Sequence, residues 1–201
     1  LISPAALALA LLSPLASPPR PSEPALIDAA ERVPGLVLDL RYATENNFLK
    51  RRLYRVPRCL LRPSVAARLA AAQAALRPLG FGLKVFDCYR PFSVQKLMWD
   101  AVPQRGLVAP PALGGSNHNR GAAVDASLVR LDGSPVPMPT DFDDFSKAAR
   151  INSKLPTREA QRHRGILQRA MTAAGFKLMF MEWWHFDDPD ARRFRALDDP
   201  L

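Results

Sequence analysis

At 201 residues, 48% of them hydrophobic, the chain is long enough for one domain with a proper core and too short for two. Its formal charge of +9 suits an envelope rich in anionic polymers and also suits nucleic acid, but no nucleic-acid-binding motif accompanies it. Cys59 and Cys88 lack further thiols and are not spaced as a zinc pair, which excludes a thiolate-built structural metal site and leaves both a disulfide and two buried thiols open.

Leu1 to Ala16 contains an apolar run too short to span a bilayer, followed by small residues and a proline-rich stretch, so residues 1–25 are expected to be a signal peptide or disordered leader. That predicts a periplasmic or secreted protein, or a cytoplasmic one if the leader is not a signal, with residues 26–201 as its single domain and no membrane span in the mature chain. Leu26 to Arg32 suggests a short helix. Leu36, Leu38, Leu40 and Tyr42 alternate as on a strand. Six basic residues between Lys50 and Arg62 read as a solvated, loop-like face. Pro63 opens a helix that places Val65, Leu69, Ala72 and Leu76 on one side and stops at Gly80. A buried strand is predicted over Gly82–Tyr89, a second helix over Ser93–Val102, and a long loop over Pro103–Gly115. Val124–Arg130 reads as a strand, Thr157 to Gly175 as a helix with His163 on its surface, and Phe176–Phe186 as the last strand. The tail after Asp187 has few apolar anchors and is expected to pack loosely.

Chemistry concentrates in two stretches. Ser116–Asp125, S-N-H-N-R-G-A-A-V-D, places His118 and Asp125 seven residues apart across a glycine, and E-W-W-H-F places Glu182 three residues before His185. Two neutral imidazoles and a carboxylate make three ligands for a zinc ion with one position open, a catalytic stoichiometry, and Glu182 beside it can move a proton. A regular strand would send Glu182 and His185 to opposite faces, so a bulge or bend near Trp183 and Trp184 is required. Ser116 lies in no nucleophile elbow and is expected to hydrogen-bond within the site. Trp183 is preferred over Trp184 as the pocket wall, against plain core roles for both.

S-x-H-x-x-G-x-A-x-D followed by E-x-x-H resembles zinc peptidases that cleave beside D-alanine. With D-L-R-Y-A-T-E-N-N-F at Asp39–Phe48 and F-D-C-Y-R-P at Phe86–Pro91, the resemblance narrows to the D-alanyl-D-alanine dipeptidases, the family of the vancomycin-resistance dipeptidase, over about residues 36–187. It implies that Arg90 faces the developing oxyanion. It also implies that Tyr42, Asn117 and Asp143 meet the free amino end of a dipeptide. Asn117 departs from the family's usual serine, and Cys88 stands where a small residue is common.

The expectation is therefore an α+β domain whose antiparallel sheet bears one Zn2+ and packs helices on one side. Its substrate would be free D-Ala-D-Ala, hydrolysed with Glu182 as base in wall-dipeptide turnover. The rivals are a carboxypeptidase acting on stem peptides and a non-catalytic module that holds wall peptides; the complete ligand set with Glu182 argues against the second.

Overall fold

The computed structural model describes residues 23–104 and 106–201. The expected leader lies, through residue 22, outside the described residues. Glu23 and Pro24 are already tied to the domain, accepting hydrogen bonds from the Arg62 guanidinium at 2.8 and 2.6 Å.

In chain order the elements are β1 (Ile27–Asp28), β2 (Val37–Leu38), β3 (Leu60–Leu61), α1 (Pro63–Leu76), β4 (Phe81–Asp87), α2 (Phe92–Ala101), β5 (Ala123–Arg130), α3 (Arg158–Ala173), β6 (Lys177–Met179) and β7 (Glu182–Asp187). Strands β1 and β3 form a small antiparallel pair, and the main sheet runs β2-β4-β5-β7-β6. The fold is α+β, but the sheet is mixed and not antiparallel throughout, because β2 lies parallel to β4 at the edge. Among the described residues no helix is long and apolar enough to cross a membrane.

Helix α1 begins with Pro63 in its first turn and buries Val65, Leu69, Ala72 and Leu76, spaced to form one face. A short 3-10 turn then reaches Gly80, whose left-handed conformation (φ 81°) ends it. Helix α3 is capped by Thr157, whose hydroxyl accepts from the Ala160 amide at 3.2 Å. Both helices pack on one side of the sheet, α1 against β4 and α3 against β5 and β7. Leu83 and Val85 of β4 register with Leu128 and Ala126 of β5, forming the buried row beneath them.

The opposite face carries the chemistry, and a bulge decides which residues reach it. Val85 pairs with Ala126 and Asp87 with Asp125, so Phe86 is an extra residue in β4. That insertion turns Asp87 away from the helix side and beside Asp125.

Several elements differ from the sequence reading. Leu36–Tyr42 pairs only at Val37–Leu38; Arg41–Ala43 instead forms a 3-10 turn, with Arg41 ion-paired to Asp39 and Asp141. The expected helix at Leu26–Arg32 is β1 followed by a 3-10 turn capped by the Asp28 carboxylate. Phe176–Phe186 is a hairpin, not one strand. His163 is buried, with Nδ1 2.8 Å from the Pro137 carbonyl and its ring edge-on to Phe81. Arg62, the last of the basic run, is buried as well. The tail is anchored, not loose: Ala191 and Leu201 are buried, Phe194 and Leu197 pack against the core, the Leu197 amide donates to the Asn119 carbonyl, the Phe92 amide to Leu197, and the Arg55 amide to Leu201.

Candidate metal centre and active site

Three acceptor atoms converge on the site face. Nε2 of His118 lies 3.2 Å from Nδ1 of His185 and 3.3 Å from Oδ1 of Asp125, and Nδ1 of His185 lies 3.0 Å from the same oxygen. These are the atoms that could hold a metal ion. Asp125 and His185 are cross-strand partners on β5 and β7, so the sheet register sets their spacing. His118 comes from a 3-10 turn, Asn117–Arg120, which Ser116 and Asn119 close reciprocally as a capping box. Gly121 then leaves the turn at φ 63°, where a side chain would run into Leu26.

The outer nitrogen of each imidazole is committed. His118 Nδ1 sits 2.6 Å from the Cys88 carbonyl, which can only accept, and His185 Nε2 sits 3.0 Å from the Asp187 carboxylate. Each outer nitrogen therefore carries hydrogen, and the lone pairs point at Asp125. Two lone pairs and a carboxylate oxygen, buried with no donor among them, are satisfied by a cation. A tetrahedral zinc with ligands at about 2.0–2.1 Å sets its ligand atoms about 3.3 Å apart, close to the three edges found.

Electrostatics agree. Burial would raise the Asp125 carboxyl, but the two imidazoles outweigh it and hold it below the usual range. Burial disfavours the His185 cation, yet Asp125 and Asp187 prevail and lift its pKa well above the ordinary value. Without an ion a proton takes that place; an ion displaces it.

Around the triangle lies a cavity of about 200 Å³, lined among others by Tyr42, Arg90, Ser116, Asp143, Glu182 and Trp184. It is smaller than the roughly 300–1,000 Å³ of drug-sized sites, which suits a small ligand. Glu182 Oε2 stands 3.9 Å from His185 Nδ1. The required irregularity in β7 is present: Leu178 pairs with Phe186 but the next residue, Met179, pairs with Glu182, so Trp183–His185 bulge and let Glu182 and His185 share a face. Burial, outweighing the pull of His185, pushes the Glu182 carboxyl up to about 7, which suits a group that exchanges protons near neutrality.

Arg90 is buried, its Nε and Nη2 donating to Asp87 Oδ2 at 3.0 and 2.7 Å and its Nη1 to Gln95 Oε1 at 2.8 Å. The Tyr54 hydroxyl donates to the other Asp87 oxygen at 2.8 Å. The guanidinium also stacks over the Tyr42 ring, 5.1 Å from its centre. Tyr42 in turn donates to both oxygens of Asp143 at 3.1 Å. Burial, and then the charge of Asp125, push the Asp143 carboxyl up to about 8.

Two anticipated residues fall elsewhere. Asn117 does not line the cavity; its amide donates to Asp187 Oδ1 at 2.9 Å, behind His185. Trp183 faces a separate surface depression, its Nε1 donating to Thr140, while Trp184 walls the main cavity against Phe142. The bulge exchanges the two tryptophans. Sequence reasoning missed Asp87, Tyr54, Gln95 and Asp187. Asp87 and Asp187 could have been suspected, one three residues before Arg90 and the other two after His185.

A sheet-borne triangle of atoms that could hold a metal ion, with a glutamate and a fixed guanidinium on the cavity wall, is the kind of site that metal-dependent hydrolases use. Comparison with known proteins narrows the class. The peptidase family M15 model, described as D-ala-D-ala dipeptidase, matches residues 22–200. The chain is 33% identical over 174 residues to a D-alanyl-D-alanine dipeptidase of Escherichia coli K12, covering 87% of this chain and 90% of that one. It is 32% identical over 187 residues to one of Enterococcus faecalis V583 (79% and 90% covered), and 30% identical over 176 residues to one of Streptomyces coelicolor (78% and 87%). The chain belongs to the M15 D-Ala-D-Ala dipeptidase family and is a peptidase.

Proposed function

We propose that the protein hydrolyses free D-Ala-D-Ala to two D-alanines, with one zinc ion held by His118, Asp125 and His185. The observation that carries this reading is the triangle itself, whose two imidazoles are held in the tautomers that aim lone pairs inward while Glu182 stands beside them. When bound, zinc supplies Lewis-acid polarisation of the scissile carbonyl and acidifies water. Glu182 takes the proton of the attacking water and returns it to the leaving amine, a role its carboxyl near 7 supports. Arg90, fixed by Asp87 and Gln95, offers positive charge where the oxyanion develops.

At the other end Asp143, bridged by Tyr42, receives the dipeptide's ammonium as a charge-assisted pair. A chain extended or acylated at that amine brings no cation, which leaves the half-buried Asp143 carboxylate with Tyr42 but no countercharge and disfavours stem peptides. The protein acts in the periplasm or outside the cell, on dipeptide released by wall turnover; the signal-like apolar and proline-rich composition of residues 1–22 and the Cys59–Cys88 disulfide support that placement. The test is kcat/KM of the zinc-loaded protein on D-Ala-D-Ala, its N-acetyl form and a stem pentapeptide. The free dipeptide is expected to be strongly preferred, and equal or better cleavage of the longer forms would replace the reading with a carboxypeptidase.

A further inference from the structure

Asp87–Arg90 underlies both halves of the site. Asp87 carries the Arg90 guanidinium, the Cys88 carbonyl holds His118 Nδ1 at 2.6 Å, and the Arg90 amide donates to the His118 carbonyl at 3.1 Å. Yet the segment has little regular structure of its own, since β4 ends at Asp87 and α2 begins at Phe92. Two links fasten it from behind. The Tyr89 amide donates to the Leu60 carbonyl at 3.0 Å, and one residue before each of these partners a disulfide joins Cys88 to Cys59. Cys59 is itself anchored, its carbonyl accepting from the Ala29 amide at 2.8 Å.

We propose that the Cys59–Cys88 disulfide is a positioning device for the metal centre and Arg90, so that the chain reaches full metal affinity and turnover only once it is oxidised. A metal or catalytic constellation must be held within about 0.5 Å, and the peptide that holds His118 belongs to the bonded cysteine itself. Closing the bond removes two protons and two electrons from the two thiols. The electrons pass to a disulfide oxidant, which leaves as a dithiol. Both cysteines are fully buried, so exchange takes place as the chain folds, and the finished bond lies out of reach of dissolved thiols. A chain folded in a reducing compartment keeps its thiols and a weaker site. The turnover half of this proposal rests on the function proposed above, and gives it a consequence: the dipeptidase is held back until export, sparing dipeptide needed for wall synthesis inside the cell.

The test compares the oxidised parent with the Cys59→Ala/Cys88→Ala double variant. Three quantities are read: the zinc dissociation constant by chelator competition, kcat/KM on D-Ala-D-Ala, and the thermal melt. The variant is expected to melt cooperatively, to bind zinc about 10- to 100-fold more weakly, and to lose kcat/KM by at least that factor when zinc is not saturating. A lower melting temperature with zinc affinity within twofold of the parent overturns the proposal, because the bond then serves stability alone. Should the variant fail to fold, the unfolded parent refolded with zinc under reductant, set against the same parent refolded with a disulfide oxidant, supplies the same comparison. A reduced chain that cannot fold at all also overturns the proposal. An oxidised parent inactive on D-Ala-D-Ala would refute the substrate and leave the zinc comparison standing; equal zinc affinities refute the positioning role whatever is cleaved.

Discussion

Replacing Asp143 by Asn should make the protein more stable and a worse dipeptidase, and the two effects have one cause. The carboxyl is pushed up to about 8 by burial and by the charge of Asp125, from an ordinary value near 4. At about 1.4 kcal/mol per unit, holding it ionised costs the fold at most about 6 kcal/mol. Pocket water and a bound cation reduce this, and about 2 kcal/mol is the working figure. Because the folded pKa is raised, the carboxyl costs nothing below about pH 4, costs progressively more as pH rises toward 8, and costs the full amount above it. Asparagine escapes the penalty, still accepts from Tyr42, and tolerates the left-handed backbone at this position (φ 60°) as aspartate does. The variant should therefore melt about 4–8 °C higher than its parent at pH 9 and at nearly the same temperature at pH 4, by scanning calorimetry. Its kcat/KM on free D-Ala-D-Ala should fall about 10- to 200-fold, the worth of a charge-assisted bond of about 1.5–3 kcal/mol, with much less change on the N-acetyl form. A variant less stable than its parent at pH 9, or one that loses both substrates equally, would refute the assignment of Asp143 as a half-buried ammonium receptor.

Glu182→Gln should retain one equivalent of zinc by metal analysis while kcat falls about 10²- to 10⁴-fold, whereas His118→Ala should lose both metal and activity. As the base must be ionised and burial holds its carboxyl near 7, kcat/KM should rise with pH through neutrality, and bound zinc should shift that limb to lower pH. Asp87→Asn, which weakens the cradle of Arg90 and keeps its shape, should lower kcat more than it raises KM in steady-state assays on the dipeptide. Loss of the disulfide, with its sequence separation of 29, should lower unfolding free energy by about 3–4 kcal/mol in a urea titration if it acts through loop entropy.

The candidate ligands His118, Asp125 and His185, with Glu182, were legible along the chain because imidazoles are scarce there, whereas Arg90, one of many arginines, was reached only through the family resemblance. Three histidines serve the whole sequence, and two stand in short motifs with a carboxylate at fixed spacing. The main helices were legible for a similar local reason: Pro63, Thr157, Gly80 and Gly175 mark their ends, and apolar residues recur at helical spacing between them. Local signals did not reach the residues that support the site. Asp87 faces Asp125 only because Phe86 is inserted into β4, and Trp184 takes the wall from Trp183 only because β7 bulges. A bulge is settled by pairing between strands far apart in the chain, and shifting a side chain by one residue exchanges the faces of a sheet. The same holds for the parallel edge strand, the buried His163 and the anchored tail, whose partners lie in segments that no sequence window spans. Residue chemistry and local periodicity chose what the site is made of; strand register and the crossing of distant segments decided which atoms meet.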